Sequence, residues 1–332
     1  MLMSRLGRDG PLVSRVGLGL MGMAGVYGPA DDEESLATVR AALDAGVTLL
    51  DTGDFYGMGR SELLLGRVLR EVPRDSVFVQ VKFGGMRDPR GAFLGQDTRP
   101  AAVKNFLAYS LTRLGTDYID LYQPARLDPA VPIEETVGAI GELIDAGYLR
   151  YAGLSEVGAE TIRRAHAVRP VAGLQIEYSL MTRGIEAEIL PTVRELGIGV
   201  TAYGILSRGL LSRDTARPAN GDPRARFPRF QPGNLERHLT LLDQLEAIGQ
   251  DRGLTAAQLA IAWVLSRGDD IIPLLGTKRR SRLAEALGAL DVRLSPGELA
   301  TIEAAVPAGQ VAGDRYDQHG MAGLDSERPG RR

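Results

Sequence analysis

The stretch VTLLDTGDFYGMGRSE, residues 47–62, decides how the chain is read. Val47, Thr48, Leu49 and Leu50 form a short apolar run suited to a buried strand, but the Asp51, Gly53, Asp54 and Tyr56 that follow do not suit a core. A strand that ends so abruptly in carboxylates, flexible glycines and a phenol has left the interior and reached a mouth. The same pattern recurs. Strand-like runs stand at VSRVGLGLM (13–21), VTLLD (47–51), VFVQVKF (77–83), YIDLYQ (118–123), YAGLS (151–155), VAGLQIEY (171–178), IGVTAYG (198–204) and IIPLLG (271–276). Between them lie helical spacings that close on glycine: Leu36, Val39 and Leu43 before Gly46; Val103, Leu107 and Leu111 before Gly115; Val137, Ile140 and Ile144 before Gly147. Apolar residues at i, i+3/4 and i+7 with a terminal glycine mark an amphipathic helix and its C-cap.

Eight strands alternating with helices imply an α/β protein with a parallel sheet, and the number eight favours closure into a single-domain (β/α)8 TIM barrel over residues 1–332. An open, doubly wound sheet would place a G-x-G-x-x-G turn after its first strand, and GLGLMG (17–22) lacks that spacing. One segment breaks the rhythm. Residues 208–234 carry six arginines and several prolines, which predicts either a functional lid or a locally mobile insertion after the seventh strand. The tail from about residue 308, ending in ERPGRR, is expected to be loosely ordered.

Composition narrows the chemistry. The chain of 332 residues is 44% hydrophobic with a formal net charge of −3, so no nucleic-acid or membrane partner is expected. It has no cysteine, which excludes disulfides, a thiol nucleophile and thiolate metal sites. No metal is expected. The opening MLMSRLGRDG has no apolar stretch behind its arginines, and the expectation is a cytoplasmic protein, monomeric or a small homo-oligomer.

Barrels build their sites at the C-terminal ends of strands. There the second strand ends in Asp51, with Tyr56 five residues on, and the third carries Lys82 in an otherwise apolar run. A phenol with an ordinary pKa near 10 gives up its proton poorly at neutral pH; a neighbouring ammonium favours the phenolate, and a carboxylate keeps the ammonium charged. Taken singly, Asp51 also suits a helix cap, Lys82 an outward-reaching stem and Tyr56 a packed loop. On adjacent strands the three together predict a tuned general acid.

The motifs LDTGDFYGMGRSE (50–62), VKFG (81–84), DYIDLYQPARLDP (117–129), GLSEV (153–157), QIEYSL (175–180), AYGILSRGLL (202–211) and GTKRRSRLAEAL (276–287) resemble, in order, those of the aldo-keto reductase family. The resemblance implies this same barrel, reduction of an aldehyde or ketone with NADPH, and Tyr56 as proton donor with Asp51 and Lys82 tuning it. It also implies Ser155 and Gln175 as ligands of the nicotinamide carboxamide and Tyr203 as the floor under the ring. Gly204, Leu206, Arg208 and Gly209 would lie along the pyrophosphate, beside Gly276. The basic stretch KRRSR (278–282) opens a helix, where cations oppose the macrodipole, so helix stability does not account for it. By resemblance Lys278 and Arg282 hold a 2′-phosphate and Glu285 contacts the adenine, while Ala286 stands where relatives have Asn.

The chain departs from the pattern at the fourth strand. Where the family has His then Arg, this sequence has Ala125 and Arg126, and none of His166, His238 and His319 can substitute by position. The loss predicts a wider substrate pocket, lined by Ala125, Gln123 and Met21, with room for a bulky aldehyde such as a pyridoxal-like ring. Two readings follow: an NADPH-dependent carbonyl reductase, or a cofactor-binding redox sensor or regulatory subunit with negligible turnover. The retained Asp51, Tyr56 and Lys82 favour the enzyme.

Overall fold

The computed structural model of the chain describes residues 1–328. Eight strands close into a barrel: β1 (Gly17–Gly19), β2 (Leu49–Gly53), β3 (Phe78–Phe83), β4 (Ile119–Pro124), β5 (Leu149–Ser155), β6 (Val171–Glu177), β7 (Gly199–Tyr203) and β8 (Ile271–Gly276). Every neighbouring pair is parallel, and β8 closes on β1 with Gly276 opposite Gly19. Around it run helices α1 (Asp32–Asp44), α2 (Arg60–Leu69), α3 (Pro100–Leu114), α4 (Ile133–Asp145), α5 (Ala159–Val168) and α6 (Ile189–Leu196). After β7 come α7 (Asn234–Gln250) and α8 (Ala256–Leu265), and after β8 come α9 (Arg280–Leu287) and α10 (Pro296–Ala305). The glycines read as helix stops behave as such: Gly46, Gly115 and Gly147 all take positive φ (84°, 66° and 84°), which glycine adopts without a steric penalty. No helix among the described residues is long and apolar enough to cross a membrane.

The run VSRVGLGLM is not one strand. Leu12–Ser14 pairs antiparallel with Met3–Arg5, and the barrel strand starts afresh at Gly17. This hairpin closes the N-terminal end of the barrel. Leu6 and Val13 pack on Leu49, Phe78, Leu121, Ile272 and Leu274, whose side chains fill the barrel's lower interior. The approach is close: a Cβ on Gly199 at the start of β7 would lie 2.4 Å from the backbone nitrogen of Gly7.

Above this apolar plug the interior turns polar. Gln80 of β3 reaches across to Thr201 of β7 at 3.2 Å, and Gln175 of β6 reaches Asp51 of β2 at 2.7 Å. The floor is dry and the mouth is charged.

Residues 308–328, expected to be loose, fold back over the mouth instead. Arg315 is 3% exposed and Leu324 1%, and short helical turns run at Gln318–Ala322 and Asp325–Glu327. The end of the expected loose segment, 329–332, lies outside the described residues. The 208–234 segment is likewise built of short helical turns that rest on the mouth: Arg229 is buried and bonds Met181 O, Thr182 Oγ1 and Ser207 Oγ, and Arg224 bonds the carbonyls of Arg208 and Thr215.

If the hairpin is part of the core, Leu6→Ala lowers unfolding stability by about 2–5 kcal/mol in urea denaturation. Leu2→Ala on the exposed side of the same hairpin changes it by less than about 0.5 kcal/mol. Equal, small losses at both positions would mean that the hairpin merely rests on the barrel.

Candidate active site

The register of the first strands builds the centre of the mouth. Leu49 pairs with Phe78 and Gly53 with Lys82, which sets Asp51 and Lys82 on neighbouring strands with both side chains inside the barrel. Lys82 Nζ lies 2.6 and 2.7 Å from the two carboxylate oxygens of Asp51, and both residues are buried, at 3% and 4% exposure. Gln80 and Gln175 donate to the same carboxylate at 3.2 and 2.7 Å. A charge pair taken out of water needs such extra donors, because its Coulomb attraction alone does not offset desolvation.

Tyr56 stands over this pair. Its ring lies against the Gly53 backbone, where a Cβ would sit 3.4 Å away, and packs edge-on against Phe55. Lys82 Nζ is 5.2 Å from the ring centroid, yet all the donor contacts of the ammonium go to Asp51. This corrects the expectation that Lys82 makes Tyr56 acidic. Burial, and next the Asp51 charge, push the Tyr56 phenol well above its ordinary pKa, and Arg126 is the main group pulling it down. The lysine itself is lowered by burial, with Asp51 opposing.

The remaining residues fall into three groups. Ser155 and Gln175, at the ends of β5 and β6, sit beside the pair; the buried Ser155 hydroxyl has no partner among the described residues and stays free to bond a ligand. Tyr203 ends β7 with its hydroxyl 2.6 Å from Glu156 Oε1. After it, Gly204 and Gly209 take positive φ, as do Ser207 (49°) and Arg208 (55°). Among the described residues the non-glycines at positive φ are Met58, Glu156, Ser207 and Arg208, each in a loop following a barrel strand. Such conformations cost on the order of 1–3 kcal/mol each and gather where ligands are held. Leu206 is half-buried, and a Cβ on Gly276 would meet nothing within 4 Å, so the mouth stays open beside β8.

The second group lies at α9. Lys278 Nζ bonds the carbonyls of Gly28 and Pro29 at 3.3 and 2.5 Å, bridging the loops after β8 and β1. Arg282 pairs with Glu285 at 2.8 Å and with Asp214 from the β7 segment. A phosphate bound there has to compete with these acids for the guanidinium. Arg282, Glu285 and Asp214 border a cavity of about 740 Å³ that extends to Leu254 and Ala257.

The third group is the expected substrate wall. Met21 begins a helical turn just past β1 and is half-buried. Gln123 pairs with Lys82 in register but is fully buried, with no hydrogen bond to its amide among the described residues. Ala125 is only 3% exposed, so the wider pocket expected beside it is not open to solvent there.

Tail residues that sequence reasoning passed over cover it. Tyr316 Oη lies 3.1 Å from Tyr203 Oη and accepts from Arg126 at 3.3 Å. Arg315 bonds Glu156 at 2.9 and 2.7 Å and Glu177 at 3.3 Å. Burial alone would raise the Glu156 carboxyl, but Arg315 brings it down to about 2. No local signal marks these tail residues, since their partners lie some 150 positions earlier in the chain. No group of three or more potential metal ligands occurs among the described residues.

Residues 15–307 match the family model described as the Aldo/keto reductase family. The chain is 41% identical over 320 residues to a probable aldo-keto reductase 1 of Glycine max, covering 94% of this chain and 91% of that protein. A solved glycerol dehydrogenase from Gluconobacter oxydans is 33% identical with a TM-score of 0.82, over 92% of this chain and 96% of that one. A thermostable aldo-keto reductase solved with the inhibitor epalrestat is 26% identical with a TM-score of 0.74, over 92% and 100% of the two chains.

Next to this site lies a buried acid with an unusual proton affinity. Both carboxylate oxygens of Asp54 are buried without a hydrogen-bond partner among the described residues, close to Glu62, which pairs with Arg113. Burial, then the Glu62 charge, raise Asp54 from 3.8 to about 8. A folded-state pKa above the unfolded one means that the folded chain holds the proton more tightly, so the contribution is complete below pH 3.8 and is lost as pH rises towards 8. Asp54→Asn removes this loss. Urea denaturation should find the variant gaining on the native protein between pH 5 and pH 8, and parallel profiles over that window would contradict the assignment.

Proposed function

The chain belongs to the aldo/keto reductase family and is an oxidoreductase of small carbonyl compounds, and we propose that it reduces an aldehyde or ketone with NADPH, using Tyr56 as the proton donor. The observation that carries this reading is the buried Asp51–Lys82 pair with the Tyr56 ring directly above it.

Family members generally use nicotinamide cofactors, and the residues present fit one. The unpartnered Ser155 hydroxyl and the Gln175 amide suit a carboxamide, the Tyr203 ring suits a flat heterocycle, and the strained turn at 204–209 with the open side of Gly276 suits a pyrophosphate. Lys278 and Arg282 are the cations for a 2′-phosphate, with Glu285 beside them for the adenine. The nicotinamide, when bound, supplies the hydride.

The protein's own part is the proton. Its high pKa keeps Tyr56 protonated at neutral pH, which a donor requires before the reaction. As the substrate oxygen gains negative charge it becomes the stronger base and draws that proton. Arg126 favours the phenolate left behind, and Asp51 opposes the loss of charge that burial imposes on Lys82. The alternative of a cofactor-binding sensor gives no reason to bury this pair beneath a phenol.

Tyr56→Phe should lower kcat/KM for aldehydes by about 10²–10⁴-fold while NADPH affinity holds. Unchanged turnover in that variant would remove Tyr56 from the reaction. Replacing Lys278 and Arg282 together by Ala should weaken NADPH binding by at least about tenfold more than NADH binding, read by fluorescence titration. Equal losses for the two cofactors would place the 2′-phosphate elsewhere.

A further inference from the structure

Arg126 stands apart from the other cations of the mouth. Arg208 lies 3.9 Å from Glu177, Arg229 lies 3.5 Å from the same carboxylate, and Arg315 is locked to Glu156, Glu177 and Glu327. Four guanidinium groups thus face three carboxylates, and Arg126 has no carboxylate within ion-pair distance among the described residues. It donates to the Ala125 carbonyl at 2.6 Å and to Tyr316 Oη at 3.3 Å, which leaves most of its five N–H groups without an acceptor there.

The group is held in place rather than loose. Its carbonyl contact lies on the residue just before it, at the end of β4. Its phenol contact is pinned from several sides: the Arg208 guanidinium lies 4.4 Å from the Tyr316 ring centroid, Phe227 packs edge-on against that ring, and the Tyr203 hydroxyl is 3.1 Å from its oxygen. Arg126 is also close enough to act electrostatically on both Tyr56 and Lys82. A half-buried, preorganised fork of donors that feels the Glu156 charge yet forms no ion pair with it can take an anion brought by a ligand, since Arg bonds carboxylate and phosphate oxygens in pairs.

We propose that Arg126, oriented by Tyr316, is the specificity-determining residue of this mouth and binds the anionic group, carboxylate or phosphate, of a carbonyl substrate. The inference rests on the carbonyl-reductase reading above and narrows its substrate class: the molecule carries its negative charge on one side and its carbonyl towards Tyr56.

The test uses three aldehydes on the full chain: benzaldehyde, 4-formylbenzoate and 4-formylphenyl phosphate. Calorimetric titration without dinucleotide reads binding free of turnover. At least one anionic aldehyde should bind about tenfold or more tighter than benzaldehyde, and the tighter of the two identifies the anion. Arg126→Met and Arg126→Gln should each erase that preference, Arg126→Lys should keep part of it, and Tyr316→Phe should reduce it. The proposal is overturned if benzaldehyde binds as well as both anions, or if either neutral variant, folded by circular dichroism, keeps the preference. Adding NADPH separates the two claims: failure to turn over any of the aldehydes counts against the reductase reading, whereas turnover with no Arg126-dependent preference counts against this inference alone.

Discussion

The ion pair between Asp51 and Lys82 is the constraint around which the rest of the mouth is arranged. Two opposite charges at 2.6 Å, nearly out of reach of water, are tolerated only because Gln80 and Gln175 add hydrogen bonds to the carboxylate. Those amides come from β3 and β6, so one carboxylate ties together three strands of the barrel. The plug of Leu6, Val13 and Leu49 beneath it keeps the low-dielectric side dry. Above it a phenol is held protonated by the same burial, ready for a substrate whose developing charge reverses the balance.

A second ionic layer closes the mouth from the outside. Glu156 and Glu177, at the ends of β5 and β6, take Arg315 from the tail and Arg229 from the β7 segment, and Tyr203 hands its hydroxyl to Glu156. His238 joins the same two segments, with Nδ1 at 3.0 Å from Arg229 O and Nε2 accepting from Ala312 N at 3.1 Å. The strained Glu156, Ser207 and Arg208 sit where these segments meet. A barrel with simple loops would expose this face; here a folded tail and a folded insertion cover it, and Arg126 stands among their ion pairs without forming one itself among the described residues.

Much of this could be read from residues alone, and the part that could not has a physical reason. The barrel was legible because each unit repeats a short apolar strand, an amphipathic helix and a glycine stop, all local signals. Asp51, Lys82 and Tyr56 were legible because polar groups at the ends of buried strands have few other uses. The N-terminal hairpin was not, since its three-residue strands run on into β1 and a two-residue break at Arg15 and Val16 has no signature of its own. The tail was misread because its composition is that of a loose segment, while its order comes from one buried arginine and two distant glutamates. The sign of the pKa shift at Tyr56 was also out of reach: proximity of a lysine is readable from strand ends, but complete burial and the capture of that lysine by Asp51 are properties of the packed barrel.

The central claim is that the Asp51–Lys82 pair is present for its charge at Tyr56 and not for stability. Removing one partner leaves a buried, unpaired charge and costs about 3–5 kcal/mol, whereas replacing both with apolar residues of similar volume is neutral or stabilising. The decisive measurement is NADPH-dependent aldehyde reduction by the double variant Lys82→Met with Asp51→Leu, once its unfolding midpoint has been checked against the native protein. The account predicts a folded variant, less stable by only about 1–3 kcal/mol because the buried Gln175 amide loses its acceptor, with turnover reduced by about 10²-fold or more. A stable double variant that still reduces aldehydes at the native rate would contradict it.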